Sequence, residues 1–461
     1  MQQKTPKIGL VSLGCAKNLV DSQRLTSVLV AMGYRIENEY SKCDVVVVNT
    51  CGFIGPAVEE SMQAIGEALN YARKVIVTGC LGARAKLVMD RYPQVAAVYG
   101  PGMRATVIRG IVSLVGKPSE SDRQNVGASG ILLTPPHYAY LKIAEGCRHH
   151  CSFCIIPSLR GPLRSRQVDS ILKESEDLVR RGVKELLVIA QDSSDYGMDL
   201  KNKTSLSSLL RKLGQFKRWV RVHYVYPSDE ANKVVDLMAE GLVLPYLDVP
   251  FQHVNPTILR SMKRPGNIDK TLRLIENWRS VCPDIAIRST FIAGFPGETE
   301  SQFNELLDFI KEAKLDRVGC FPYSDVDGAA ANDYLNPVDE ELREHRAAIL
   351  METQAKISYE KLENRVGKEY QVLIDYVSDD GLAVGRSKYE SPDIDGVISI
   401  PNTKGVEVGD LVKAKIVSHD EHDMEAELVS KTDGAISFIK NSSFPHGNLK
   451  QNQIHSSFDA L

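Results

Sequence analysis

Glu145-Gly146-Cys147-Arg148-His149-His150-Cys151-Ser152-Phe153-Cys154 is the stretch that decides how this chain is read. It follows Tyr138–Ala144 (Tyr-Ala-Tyr-Leu-Lys-Ile-Ala), a strand-like run, so its three cysteines fall on the loop after a strand. Three thiolates spaced Cys-x-x-x-Cys-x-x-Cys on one short loop can bind three irons of a 4Fe-4S cluster. A fourth cysteine would close the site as in ferredoxins, but Ile155-Ile156-Pro157 follows instead. One iron is then left for a ligand from outside the protein, as in catalytic metal sites. The competing reading is a zinc knot, completed by His149 or His150 from inside the same loop.

Outward from that loop, six strand-like runs alternate with helical stretches: Tyr138–Ala144, Glu185–Ala190, Val220–Val225, Tyr246–Pro250, Ile285–Ile292 and Arg317–Phe321. This pattern predicts an open six-stranded βα barrel, with the cysteine loop at the face where such barrels place their chemistry. Polar or small residues end the other strands at that face: Gln191-Asp192, His223-Tyr224, Phe251-Gln252-His253 and Gly294-Phe295-Pro296-Gly297-Glu298. His223 and His253 read as hydrogen-bonded structural histidines. Arg160, Arg164 and Arg166 follow the cysteine loop. They either meet the carboxylate of a cofactor or acidic substrate or form a solvated basic loop.

Towards the N-terminus, Lys7–Ser12, Asp44–Asn49 and Lys74–Thr78 are short apolar strands separated by helical segments, which argues a parallel, doubly wound sheet. Cys15, Cys51 and Cys80 each stand just past one of these strands, at the sheet edge where such folds bind ligands. Each is flanked by glycine, which lets backbone approach a bulky ligand. These three cysteines form a candidate second 4Fe-4S site, again with one iron open. Cys43, Cys282 and Cys320 read as packing residues.

The expected division is residues 6–116 for the first domain, 117–132 for a linker, 133–364 for the barrel, 365–431 for a terminal domain and 432–461 for a disordered tail. Glu340–Asn364 reads as a charged helix bridging the last two domains. Short alternating runs from residue 368 onward predict a small antiparallel barrel of OB-like type. Acidic residues outnumber basic ones there by about two to one, which disfavours a phosphate backbone as partner and suits a basic protein. The 461-residue chain has a net charge of −3 and so no global basic field. No apolar run is long enough to cross a membrane. Nine cysteines in a chain of this size, clustered as these are, point to metal binding in the reducing cytoplasm.

The spacing of Cys147, Cys151 and Cys154, with Phe153 before the last, resembles that of the radical S-adenosylmethionine (SAM) superfamily, in which SAM chelates the open iron. Further stretches are similar to the methylthiotransferases, and in particular to the branch that modifies an aspartate of ribosomal protein S12. They are Val11-Ser12-Leu13-Gly14-Cys15-Ala16-Lys17-Asn18-Leu19-Val20-Asp21-Ser22, Asn49-Thr50-Cys51-Gly52-Phe53-Ile54, Thr78-Gly79-Cys80-Leu81-Gly82 and Cys154-Ile155-Ile156-Pro157-Ser158-Leu159-Arg160-Gly161. The branch usually carries Pro where Ala16 stands. The resemblance implies a terminal TRAM domain, two 4Fe-4S clusters and SAM as cofactors. Cys147, Cys151 and Cys154 would then serve SAM cleavage, and Cys15, Cys51 and Cys80 would hold the sulfur. It also implies S12 as protein substrate, a sulfur donor and an electron donor of unknown identity, and no direct tRNA substrate. The alternatives are the sister branch, which methylthiolates an adenosine in tRNA, and a non-catalytic iron–sulfur electron carrier.

Overall fold

The structure, a computed structural model, describes residues 5–127 and 129–431. The expected tail, 432–461, lies outside them. The N-terminal sheet contains β1 (Lys7–Ser12), β2 (Arg35–Ile36), β3 (Val45–Thr50), β4 (Val75–Gly79) and β5 (Ala97–Val98). Its order is β2-β1-β3-β4-β5, all parallel. Every residue of β3 is buried, as its unbroken β-branched run demands of a strand covered on both faces. Sequence patterning gave no sign of β2 and β5, because two residues cannot show a period. With β1, β3 and β4 adjacent, the loops after them lie side by side.

The central sheet contains β6 (Tyr138–Lys142), β9 (Glu185–Ile189), β10 (Trp219–Val222), β11 (Tyr246–Asp248), β12 (Ala286–Ala293) and β13 (Arg317–Pro322). All six run parallel in the order β13-β12-β11-β10-β9-β6, the open barrel that the sequence predicts. A two-stranded ribbon of β7 (Ala144–Glu145) and β8 (Arg164–Ser165) brackets the cysteine loop. The helix Ala16–Ala31 packs on both β1 and β6 and so joins the first sheet to the barrel. That double contact explains why Lys17, Asn18, Ser22, Gln23 and Thr26 are buried beside its apolar face.

The last domain is a closed barrel, β14 (Glu369–Val377), β15 (Ala383–Arg386), β16 (Ile398–Ile400), β18 (Met424–Lys431) and β17 (Leu411–His419) in that order. Along β17, Val412, Ala414 and Ile416 are buried and Lys413 and Lys415 exposed, the period of a half-buried strand. One pair departs from the antiparallel expectation: β16 and β18 run parallel. This barrel docks beneath the central one. Leu373 and Leu411 pack on Trp219 and Leu244. Glu185, the first residue of β9, is fully buried between Arg221 (2.7 Å) and Arg386 (2.8 Å). Tyr246, the first residue of β11, donates to Asp395 at 2.6 Å. The docking face is therefore the N-terminal end of the barrel strands, opposite the cysteine loop.

This placement corrects the charge argument. Glu390 is fully buried and pairs with Arg365 (2.5 Å) and Arg317 (3.5 Å). The Asp395 side chain, 1% exposed, lies 3.8 Å from Arg288, and Asp375 is held by Arg386 and His137. Asp393, although exposed, accepts from the Tyr138 and Tyr140 hydroxyls at 3.5 and 3.3 Å. These acids serve the domain interface, and the charges of Glu390, Asp395 and Asp375 are matched by arginines there. The exposed acids of this domain are Glu369, Asp379, Asp380, Asp393, Glu407 and the run Asp420, Glu421, Asp423, Glu425 and Glu427.

Candidate functional site

Cys15, Cys51 and Cys80 converge at the edge of the first sheet. Leu13 donates to the Asn49 carbonyl (2.9 Å) and Cys80 to that of Thr50 (2.9 Å), so the three loops are stitched together through their backbones. The flanking glycines have a different role from the one expected. A Cβ on Gly14 would lie 2.8 Å from the Cys51 Cβ, and one on Gly52 would lie 2.7 Å from the Cys80 carbonyl carbon. The space that glycine frees is filled by the neighbouring cysteine loop. Cys15 is exposed, Cys51 half-buried and Cys80 buried, so the set opens on the Cys15 side. Phe53, Ile54, Ile155, Leu159, Val326 and Ala329 form an apolar cover around Cys80.

Asn18, which the sequence reading left without a role, organises this edge. Its Nδ2 donates to the Leu13 carbonyl (2.9 Å) and the Thr50 carbonyl (3.0 Å), and its Oδ1 accepts from Arg160. Asn49 donates in turn to the Asn18 carbonyl (2.9 Å) and Ser22 (2.8 Å). In the sequence, Asn18 stands three residues after Cys15 and Asn49 two before Cys51, the one local sign of such a role.

Cys147, Cys151 and Cys154 are half-buried on the loop after β7. The backbone N–H of His149 points at the Cys147 sulfur (3.4 Å) and that of Ile156 at the Cys154 sulfur (3.5 Å). The Arg264 guanidinium lies 3.9 Å from the Cys151 sulfur. His149 is turned to Asp192 (2.6 Å) and Asp195 (3.2 Å), and it stacks on Tyr226 with ring centroids 4.5 Å apart. Hydrogen bonds to those carboxylates raise its pKa to about 9. The His149 ring is thus engaged by carboxylates instead of joining the cysteine sulfurs, and His150 is exposed, so the structure places neither histidine as the fourth ligand of a zinc knot.

Arg160 links the loop of one cysteine set to a cysteine of the other and is not the solvated residue of one expectation, its guanidinium being taken up by the protein's own groups. It ends the short helix Ile156–Arg160 and is 4% exposed. Its Nε donates to the Cys80 sulfur (3.3 Å), and its Nη1 to Glu145 (2.7 Å) and Asp21 (3.2 Å). Lys142 pairs with the same two carboxylates, 2.8 Å from Glu145. Burial opposes the charge on Glu145, but Lys142 and Arg160 outweigh it and hold the carboxyl down at about 2. Arg166 is spent on Glu174 and the Lys142 carbonyl, and exposed Arg164 reaches the Arg160 carbonyl at 3.5 Å. His223 and His253 are structural, as expected. His223 is buried between Asp248 (3.3 Å) and Ser391 (3.0 Å), while His253 accepts from the Asn255 N–H (3.0 Å) near Glu298.

Each cysteine set offers the three thiol donors that a cluster with one open iron would need. Burial pushes the thiols of Cys80 and Cys147 up to about 11 and that of Cys154 to about 12. Such thiols resist ionising alone, and a bound cation reverses that preference. Although the Cys15 side chain is open at the surface, the protein packed around it disfavours its thiolate, but Lys17, the Asn18 N–H and Arg160 prevail and lower the thiol's pKa. Among the described residues, the one His/Cys/Asp/Glu group with ligand atoms within 4.8 Å of one another is His149, Asp192 and Asp195. Each cysteine set is more open than that, which suits several irons better than one zinc.

Comparison with known proteins accords with this layout. Residues 141–310 match the radical SAM superfamily, residues 7–100 the uncharacterized protein family UPF0004, and residues 366–429 the TRAM domain. In fold, the chain is similar to the radical SAM methyltransferase TsrM from Kitasatospora setae, with a TM-score of 0.52 at 16% identity over 69% of this chain and 75% of that one. Fold and site define a radical SAM transferase, a class that works with SAM and 4Fe-4S clusters. The chain is 51% identical to the ribosomal protein uS12 methylthiotransferase RimO of Pectobacterium atrosepticum, over 91% of this chain and 97% of that protein. It is 52% identical to the RimO of Stenotrophomonas maltophilia, over 93% and 97%. It belongs to the RimO family of methylthiotransferases.

Proposed function

We propose that this protein adds a methylthio group to the β-carbon of an aspartate in ribosomal protein S12, with Cys147, Cys151 and Cys154 holding the SAM-cleaving cluster and Cys15, Cys51 and Cys80 the sulfur-bearing one. The observation that carries this reading is the pairing of two open three-cysteine sets across one buried arginine, in a chain about half identical to RimO proteins along almost its whole length. The hydrogen to be replaced sits on an unactivated carbon, which no side-chain base removes as a proton at useful cost, so the reaction is cofactor work. When bound, the two clusters supply reductive cleavage of SAM at one set, giving the radical that takes the hydrogen, and the sulfur to be methylated and transferred at the other.

The chain's own residues hold these parts in place. The ribbon of β7 and β8 fixes the cysteine loop, and the His149, Ile156 and Arg264 donors face its sulfurs. Asn18 and Arg160 fix the loops of the other set against that one. The apolar cover around Cys80 excludes water on one side and leaves the exposed Cys15 side for the substrate. Tyr224 and Gln252 carry left-handed backbone (φ 59° and 71°) at the ends of β10 and β11, strain of the kind that collects at functional sites.

The exposed acids of the terminal barrel suit a basic ribosomal protein and disfavour RNA. No helix among the described residues is long and apolar enough to cross a membrane. We place the protein in the cytoplasm, a setting that suits its nine free thiols. The test is to offer S12 and tRNA in parallel anaerobic assays with SAM and a strong reductant. Added methylthio mass on S12 supports the reading; modified tRNA beside untouched S12 overturns it.

A further inference from the structure

Residues 323–339 join β13 to the helix Glu340–Glu363 and touch both cysteine sets on the way. Val326 and Ala329 belong to the apolar cover around Cys80. The Ala331 N–H donates to the Ser152 carbonyl at 2.9 Å, inside the other cysteine loop, and Tyr323 and Ala331 belong to the cluster on which Phe153 packs. The inner side of the segment is thus fixed. Its outer side has a different character. It carries Asp325, Asp327, Asp333 and Asp339 and no Lys, Arg or His, and all four acids are exposed. Asp325 meets Arg343 at 3.1 Å and Asp327 lies 3.8 Å from Arg84, yet their side chains remain 61% and 90% exposed. Asp333 has no ion-pair partner among the described residues. Among these carboxylates Leu335 is 84% exposed, and Phe321, at the strand end leading into the segment, is 55% exposed. Leu335 is no loose tip. The Tyr334 N–H donates to the Ala331 carbonyl (3.2 Å), and the Asn336 carbonyl accepts from the Gly297 N–H (2.8 Å).

We infer that the outer face of this segment docks the basic protein substrate beside its target aspartate; this rests on the S12 reading above. The terminal barrel is in the wrong place to do so, because it docks at the end of the strands opposite the cysteine loop. Its exposed acids act on encounter, from a distance. The segment 323–339 instead borders both cysteine sets, so a partner seated on it has its neighbouring residues at the opening between them. Leu335 supplies an apolar anchor, and the carboxylates meet the partner's Lys and Arg around it and fix its register. The exposed cations at this end, Lys201, Lys203, Arg260 and Lys263, stand on the connections after β9 and β11. The acidic field is therefore local, and it orients a basic partner as well as attracting it.

The experiment is an anaerobic binding titration of labelled S12 with the iron-loaded enzyme, for the unaltered chain, for Leu335→Ser and for Asp327→Lys combined with Asp333→Lys. Leu335→Ser should weaken binding about tenfold, the value of one buried leucine contact. The Lys pair should weaken it by about tenfold or more at low salt, and the loss should shrink as salt rises. Iron content, and SAM cleavage without S12 under strong reduction, should match the unaltered enzyme in both. Asp327→Asn combined with Asp333→Asn takes the place of the Lys pair if that pair loads less iron. Unchanged S12 affinity in either variant overturns the proposal. So does loss of iron or of basal cleavage in Leu335→Ser, which would make that residue part of the scaffold. If the unaltered enzyme binds tRNA and not S12, the S12 reading fails and this inference falls with it; if it modifies S12 and the variants do so with the same KM, only this inference fails.

Discussion

The Nε of Arg160 lies 3.3 Å from the Cys80 sulfur, although Arg160 belongs to the loop of one cysteine set and Cys80 to the other. The same guanidinium holds Glu145 and Asp21, so one buried side chain ties the first sheet to the barrel. Replacing it leaves two carboxylates to share Lys142. Breaking a buried charge network in this way costs about 3–5 kcal/mol. Arg160→Ala should lower the denaturant midpoint of the metal-free protein accordingly, and reconstituted protein should lose iron first from the Cys15/Cys51/Cys80 set. Unfolding curves and iron analysis check both; an unchanged midpoint would remove Arg160 from the network.

Two three-cysteine sets imply about eight irons and eight sulfides per chain. Changing Cys147, Cys151 and Cys154 to Ala together should leave about four. The duties should also separate. Cys51→Ala should still cleave SAM under strong reduction but form no methylthio product, whereas Cys151→Ala should cleave none. A triple variant with the full iron load would show that the ligands are misassigned.

Asp177 pins the segment that leads from the first domain into the barrel. Hydrogen bonds from the Ser129 hydroxyl (2.6 Å) and N–H (2.9 Å), with help from Arg180, hold its pKa down at about 2. A depressed carboxyl contributes stability above its unfolded pKa of about 4, and that contribution is lost as pH falls through the folded value. Stability of the metal-free protein should therefore decline between about pH 4 and pH 2, more steeply than in Asp177→Asn. Urea midpoints across this range test it, and equal slopes for the two proteins would contradict it.

The acids of the terminal barrel should divide into two classes. Asp379 and Asp380 are exposed, and replacing both by Lys should slow association with S12 at low salt, an effect that fades as salt rises. Their melting temperature should stay within a few degrees of the unaltered protein's. Glu390 is buried between Arg365, Arg317 and Ser387. Glu390→Ala should destabilise by about 3–5 kcal/mol and leave the salt dependence of association as it was. Stopped-flow association and thermal melts separate the two classes; a stable Glu390→Ala protein would mean that this interface is dispensable.

The sequence by itself determined the parts whose signal is local. The buried β-branched run of β3, the six strands of the barrel and the alternation of β17 follow from periods of burial that a few consecutive residues display. Both cysteine sets were legible because a loop after a strand points to one known edge of a parallel sheet. Only the tertiary structure decided which partners meet across domains. Nothing near Arg160 in sequence reveals that it reaches Cys80 80 positions away, and nothing near Lys17 shows that the Tyr224 ring faces it. The acids of residues 390–395 look like any solvated turn until docking turns them towards the barrel's cations and tyrosines. Burial and pairing of charge are properties of three-dimensional neighbourhoods, and composition counts every acid as if it faced water.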